Sequence, residues 1–245
     1  MDILLLSDIH GNFAALQGIE KHFDRYDFDH IVNCGDCLVY APFPNATLSW
    51  LQRNKVHSIV GNTDKKVLRL LRGKDFKKPS TPDKRVMYTW TASRLSHDNA
   101  VYLSTMPKKL LLSLSPDTNG TSTTTLGIFH GSPAKNHESL FNTTVDSRFN
   151  ALAPKTQADI IVCGHSHDPF HKTIAGKHFI NPGSAGRMFD GNPTVSCATL
   201  HFDENGMEVC HHRISYDIEA TIKAIHDASL PAIYGDMYRR GRKTH

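Results

Sequence analysis

Short hydrophobic runs along the chain end at polar turn residues, and an amphipathic stretch follows the first of them. Residues 2–7 form an apolar run that is too short for a helix, which predicts a buried strand. From Phe13 to Phe23 the apolar positions recur three and four residues apart, and Asn12 supplies an N-cap. The chain therefore begins with a strand followed by an amphipathic helix.

The same unit recurs further along the chain. A strand over 30–34 ends at Gly35-Asp36, a helix covers 46–52, and a strand over 56–60 ends at Gly61-Asn62. This alternation predicts an α/β fold in which helices pack on a sheet. Further strands are predicted over 110–114, 124–129, 159–163, 172–174, 178–180, 194–201 and 207–212, with turns at 115–120 and 205–206 and a helix over 217–226.

Two basic stretches stand apart from this alternation. Residues 64–106 contain two helical segments, 65–72 and 89–103, and we interpret them as a cap-like insertion within a single domain over 1–245. Their lysines and arginines could steer an acidic substrate or nucleic acid, but such a run is more often a solvated face. We interpret the cluster at 239–243 as a frayed tail.

Composition narrows the class of protein. The 245 residues carry 28 Lys and Arg against 24 Asp and Glu, a modest formal charge of +4 that does not indicate nucleic-acid binding. The chain has no apolar run near about 18 residues, which argues against a membrane span, and its start lacks the features of a signal peptide. Five cysteines, an odd number, do not form a secreted disulfide framework, so we expect a cytoplasmic protein with reduced thiols. No oligomeric state is indicated.

Histidine is abundant, with 16 residues, and four of these follow predicted strands directly. Residues two apart at a strand end project to the same side, and the carboxyl ends of strands are where α/β sheets build their sites. One pocket is therefore predicted at these ends. Its ligand-type side chains are Asp8, His10, Asp36, Asn62, His130, His165 and His167.

Seven nitrogen and oxygen donors exceed what one tetrahedral zinc ion takes, but they suit two metal ions that share a carboxylate. The donor types are compatible with Mn, Fe, Zn, Ni or Co, and we favour manganese. Two divalent ions bring more positive charge than Asp8 and Asp36 neutralise. The predicted centre is therefore positive, which favours an anionic substrate.

Six motifs occur in a fixed order, and together they resemble the calcineurin-like metallophosphoesterases, specifically their small bacterial and archaeal phosphodiesterase-like branch. The motifs are SDIHG at 7–11, GD at 35–36, GNTD at 61–64, HG at 130–131, GHSH at 164–167 and NPGS at 181–184. The resemblance implies a four-layer αββα sandwich of two mixed β-sheets flanked by helices. It also implies a hydroxide nucleophile between two metals, with the NPGS turn bordering the site.

The resemblance further implies a division of the ligands between the two metals. Asp8, His10 and His167 would bind the first ion. Asn62, His130 and His165 would bind the second, and Asp36 would bridge both. Asp36, His130 and Asn62 would be the catalytic residues, and Asn62 would also contact substrate.

Thr63 departs from the family pattern, which has at this position a histidine that helps to protonate the leaving group. A threonine hydroxyl is far too weak an acid for that role near pH 7, so aryl esters, diesters or anhydrides are favoured over alkyl monoesters. We therefore predict a phosphodiesterase. The alternatives are a phosphomonoesterase or protein phosphatase, a dinucleoside polyphosphate hydrolase, a non-catalytic scaffold with the same fold, and a nuclease. Asp64 is expected to orient the loop.

Several residues outside the ligand set allow either a functional or a structural interpretation. Arg187 could clamp a phosphate oxygen and is our candidate for substrate binding, although a lone arginine is more often a solvated surface residue. His137 could replace the missing proton donor, but most histidines are simply polar groups of the surface or core. Cys34 and Cys37 are expected to pack in the core instead of binding metal. The glycines of the motifs are expected to be turn residues: Gly11, Gly35, Gly61, Gly131 and Gly164.

Overall fold

Two five-stranded sheets form the centre of the protein, which we describe from a computed structural model. It describes residues 1–76, 81–115, 123–203 and 206–243. The first sheet has the order β10 (Gly206–Ile214), β9 (Val195–Asp203), β1 (Asp2–Leu6), β2 (His30–Asn33) and β3 (His57–Ser58). The second has the order β4 (Lys109–Leu114), β5 (Thr124–Phe129), β6 (Ile160–Val162), β8 (Lys177–Asn181) and β7 (Phe170–Ile174).

Both sheets are mixed, with a parallel centre and antiparallel edges. Strands β1, β2 and β3 are parallel in the first sheet, and β5, β6 and β8 are parallel in the second. Strands β9 and β10 continue the first sheet in antiparallel order, and β4 and β7 are antiparallel edge strands of the second. Because the parallel strands point the same way within each sheet, their carboxyl ends share one rim.

Alternation along β1 shows how the layers are built. Ile3 and Leu5 are fully buried among residues of the second sheet, while Leu4 and Leu6 pack into a separate cluster with the helices. Helices thus cover the outer face of the first sheet, and α6 (Asp146–Leu152) packs on the outer face of the second. The predicted four-layer αββα sandwich of two mixed sheets is confirmed.

The helices on the first sheet include those predicted over 13–23, 46–52, 65–72 and 217–226. The Asn12 side chain caps the first of them, accepting a hydrogen bond from the amide of Ala15. These helices are α1 (Phe13–His22), α2 (Pro44–Arg53), α3 (Asn62–Leu71), α4 (Pro82–Arg94), α5 (His97–Thr105), α7 (Ile218–Asp227) and α8 (Ile233–Arg240). Among the described residues, no helix is long and apolar enough to cross a membrane.

Three local predictions are wrong. The helix expected over 89–103 is two helices, because Leu95 is extended and the Ser96 side chain caps the start of α5. The strand expected over 56–60 shrinks to β3. The tail at 239–243 is not frayed: its first two residues complete α8, and Arg239 pairs with Glu219 of α7.

The described part of the stretch 64–106 forms most of α3 and all of α4 and α5. Val67, Met87 and Leu103 are fully buried in the same cluster as α1 and α2. The cap-like role of this stretch stays a prediction. The predicted turns at 115–120 and 205–206 fall largely outside the described residues.

Candidate metal centre

The loops that leave five parallel strands bring the seven predicted ligands to one rim. Asp8 and His10 follow β1, Asp36 follows β2, and Asn62 follows β3. The second sheet contributes the three other histidines, after β5 and β6. Two groups result, and in each the ligand atoms lie within 4.8 Å of one another. The groups are Asp8, His10 and His167, and Asp36, His130 and His165.

Five of these residues have a backbone that L-amino acids rarely adopt. The φ angles are 52° at Asp8, 54° at His10, 53° at Asp36, 69° at His165 and 58° at His167. Left-handed conformations of non-glycine residues cost free energy and concentrate at functional sites. Their recurrence at one rim therefore indicates that the fold is strained here in order to aim these side chains.

In the first group, two imidazoles face each other. Nε2 of His10 lies 3.2 Å from Nε2 of His167. The Nδ1 atoms lie near the carbonyl oxygens of Leu38 and Arg187, at 3.4 and 2.5 Å, which assigns the proton of each ring to Nδ1. Two Nε2 lone pairs then point at each other, an arrangement that a cation between them would stabilise.

The Asp8 carboxylate completes this group. Its Oδ2 accepts hydrogen bonds from the Ser7 hydroxyl at 2.6 Å and the His165 amide at 2.8 Å. Its Oδ1 lies 3.3 Å from Nε2 of His167, yet it is buried and has no hydrogen-bond partner among the described residues. A buried carboxylate oxygen without a donor is costly, and a metal ion would satisfy it. The residues therefore fit a divalent cation.

The second group has the same design. His130 Nδ1 donates to the carbonyl of Cys34 at 2.9 Å, which leaves Nε2 as the ligand atom. That atom lies 3.4 Å from Oδ1 of Asp36 and 3.0 Å from Oδ1 of Asn62. The ring of His165 packs against that of His130 with centroids 4.9 Å apart. Asn62 thus lies beside the group that contains Asp36.

Two residues of the first group, His10 and Asp8, have pKa values that favour the protonation states in which they bind metal. Burial lowers the pKa of His10 to about 3, so its ring is neutral near pH 7. Burial alone would raise the pKa of Asp8, but the neighbouring His167 reverses this effect, and the pKa lies well below its ordinary value. A neutral imidazole and an ionised carboxylate are both metal ligands.

The loop glycines serve different purposes. Gly11 and Gly35 have φ angles of +70° and +94°, as expected of turn residues. At Gly61 and Gly164 the constraint is space instead. A Cβ on Gly164 would lie 2.6 Å from Oδ2 of Asp8, and one on Gly61 would lie 2.8 Å from Cγ of Asp36. These two glycines are therefore required by the carboxylates beside them.

Asp64 holds the loop beneath Asp36. Its carboxylate accepts hydrogen bonds from the amides of Gly61, Cys37 and Leu38 at 2.9 to 3.1 Å. These bonds tie the loop after β2 to the start of α3. The structure thus gives Asp64 the orienting contacts expected from the sequence.

Arg187 is not the solvated residue that a lone arginine would usually be. Its side chain is buried, and its guanidinium lies 4.0 Å from the centroid of the Tyr40 ring. Cys34 and Cys37 are fully buried, and burial raises the pKa of both thiols well above the ordinary value, in keeping with a packing role. His137 is exposed.

Sequence reasoning missed two aromatic residues beside the first group. The Phe189 ring stacks on His167 with centroids 4.6 Å apart and planes 12° from parallel. The ring of Tyr40 meets His10 edge-on at 5.2 Å. Neither residue belongs to a motif, and each lies beside a candidate ligand only in the folded chain.

An αββα sandwich with two groups of imidazole and carboxylate at its rim suits a binuclear metal-dependent hydrolase. The chain belongs to the calcineurin-like phosphoesterase superfamily, whose family model matches residues 1–205. It is therefore a metal-dependent phosphoric ester hydrolase of a family with a two-metal site.

Individual relatives extend over nearly the whole chain. An uncharacterized protein of Methanocaldococcus jannaschii is 29% identical, with 98% of each chain covered. A metallophosphoesterase structure from Sphaerobacter thermophilus has a TM-score of 0.76 at 24% identity and covers 98% of this chain and 99% of its own. A hypothetical protein from Pyrococcus horikoshii has a TM-score of 0.84 at 17% identity, with 99% of each chain covered. The two structures show the same fold.

Proposed function

We propose that this protein is a phosphodiesterase that hydrolyses small phosphorylated substrates with good leaving groups, using two manganese ions. Asp8, His10 and His167 would hold one ion. Asn62, His130 and His165 would hold the other, and Asp36 would bridge them. When bound, the ions supply an activated water as nucleophile and neutralise charge on the phosphate oxygens.

The protein's own residues position this chemistry. Nδ1 of His130 is anchored on the Cys34 carbonyl, so its ring cannot turn away from Asp36. The Thr63 amide donates to Oδ1 of Asp36 at 2.8 Å and fixes the carboxylate from the opposite loop. Asn62 lies beside His130, where its side-chain amide would bind a phosphate oxygen.

The observation that carries the substrate preference is the state of the Thr63 side chain. It is buried, and its hydroxyl donates to the carbonyl of Leu38 at 3.2 Å. The hydroxyl proton of Thr63 is therefore held by a loop carbonyl and is not directed at a leaving group. A general acid contributes about 10²- to 10⁴-fold to such a reaction, so substrates that need one are disfavoured by about that factor.

Side-by-side rates on matched substrates test this proposal. We expect the manganese-loaded protein to hydrolyse bis(p-nitrophenyl) phosphate at least about 100-fold faster than glycerol phosphate, whose alkoxide leaving group needs a proton. Thr63→Val, which removes only the hydroxyl, should leave this ratio unchanged. Equal rates on the two substrates, or a ratio that collapses in Thr63→Val, would overturn the assignment.

The cysteines support the cytoplasmic location that we propose. All five are free, and four of them are buried. Free thiols persist in reducing compartments such as the cytoplasm.

A further inference from the structure

Arg187 is a buried cation without an acidic partner. Its side chain is 8% exposed, and none of the ion pairs found among the described residues involves it. Its Nη2 instead lies 2.7 Å from the sulfur of Met237, and its Nε is buried without a hydrogen-bond partner in the described part of the chain. An unpaired buried charge costs several kcal/mol. An anionic ligand that reached this guanidinium would recover part of that cost.

Aromatic rings join this guanidinium to the metal centre. Tyr40 and Phe189 lie 4.0 and 5.0 Å from the guanidinium carbon of Arg187. The same two rings contact the ligands His10 and His167. The carbonyl of Arg187 also accepts the Nδ1 proton of His167. One aromatic ring therefore contacts both the Arg187 guanidinium and His10, and another contacts both the guanidinium and His167.

Two lysines from distant parts of the chain, Lys243 and Lys84, lie in the region of Arg187. Lys243, after α8, has its Nζ 4.4 Å from the centroid of Phe189. Partial burial of the Lys243 side chain lowers its pKa, and the positive charges of Arg187 and of Lys84, in the first turn of α4, lower it further. Asp83, beside Lys84, is an acid in this region, and its charge acts on Tyr234. The summed charge of Arg187, Lys243, Lys84 and Asp83 is positive.

We infer that Arg187 and Lys243 form a subsite for a second phosphoryl group of the substrate, next to the phosphorus that is attacked. This inference rests on the proposed function and narrows its substrate to phosphoric esters or anhydrides that carry at least two phosphoryl groups. The first phosphate would lie at the proposed metal centre, where two divalent ions would bring more positive charge than Asp8 and Asp36 neutralise. A second phosphate supplies the anion that Arg187 lacks, through charge-assisted hydrogen bonds.

The test compares methylphosphonate with methylenebisphosphonate on the manganese-loaded full-length protein. Each is titrated by calorimetry and also as an inhibitor of bis(p-nitrophenyl) phosphate hydrolysis. The wild-type protein should bind the bisphosphonate more tightly, and Arg187→Gln should reduce that preference at least about tenfold, because a hydrogen bond to a charged group is lost. Arg187→Lys should retain more of the preference than Arg187→Gln.

The controls separate this subsite from chelation by the metals. Arg239→Gln removes the same charge from an exposed residue that is paired with Glu219, and it should leave the preference unchanged. Lys243→Gln changes an exposed side chain and should therefore leave the fold intact. This variant tests the subsite if Arg187→Gln does not fold. It should reduce the preference several-fold. A preference that is equal in the wild type, Arg187→Gln and Lys243→Gln would overturn the subsite, while hydrolysis of the diester by the wild type would still support the proposed function.

Discussion

Replacing Gly61 by alanine would displace the Asp36 carboxylate, the proposed bridge, without changing its chemistry. A Cβ at this position would overlap Oδ1 and the amide nitrogen of Asp36 and lie 2.8 Å from its Cγ. Contacts below 3.0 Å are essentially never made by real Cβ atoms, so Asp36 or its loop must move. Overpacking of this kind costs about 1–3 kcal/mol of stability. Misplacing a reacting group by about 1 Å costs about 100-fold in rate.

The assay combines bis(p-nitrophenyl) phosphate turnover with thermal unfolding. Gly61→Ala should lower kcat/KM at least about 100-fold and lower Tm by about 2–4 °C for each kcal/mol lost. Gly235→Ala is the matched control, because its Cβ would meet Ile222 at an ordinary 3.4 Å and its helix would gain stability. If Gly61→Ala binds metal and keeps a rate within about threefold of the wild type, a displacement of about 1 Å does not impair the reaction, and Asp36 does not act as proposed.

Three further outcomes are expected. Asp36→Asn should abolish turnover while the circular dichroism spectrum stays native; retained turnover would contradict a bridging role. Tyr238→Ala should lower Tm by at least about 6 °C, because the ring is buried in α8 and large-to-small changes cost about 3 kcal/mol or more; an unchanged Tm would contradict the packing of α8. In chelator, Tm should fall as pH drops through about 6.5, since the unfolded chain then binds more protons than the folded one; a Tm that rose on acidification would refute this. The groups responsible have pKa values lowered by burial: His57, His171, His178, His211 and His212.

Hydrophobic periodicity predicted the alternation of strands and helices, whereas the four layers were implied by the family resemblance. In β1, alternate residues face the other sheet and the helices, and the run ends at Asp8, where the candidate site begins. The position of these residues after predicted strands identified the seven candidate ligands that the fold brings together. Periodicity did not locate the break at Leu95 and Ser96, because a capping serine there competes with a continuous apolar stripe.

The environment of Arg187 lies beyond what a local pattern can predict. Its neighbours Tyr40 and Tyr234 are more than 40 residues away in the chain, and only tertiary packing brings them together. The left-handed backbone at Asp8 and His10 was likewise not visible, since those residue types do not require it. Backbone strain of this kind can be recognised only in the folded structure.

The measurement that tests the central claim most directly is a titration of metal-free protein with manganese, in which bound metal and bis(p-nitrophenyl) phosphate hydrolysis are followed together. We predict that binding saturates at two ions per chain and that turnover appears only as the second ion binds. His10→Ala, which removes one ligand of the first group, should reduce the bound metal and the rate together. Absence of metal binding, or full turnover in chelator, would contradict the assignment of this rim as a two-metal hydrolytic centre.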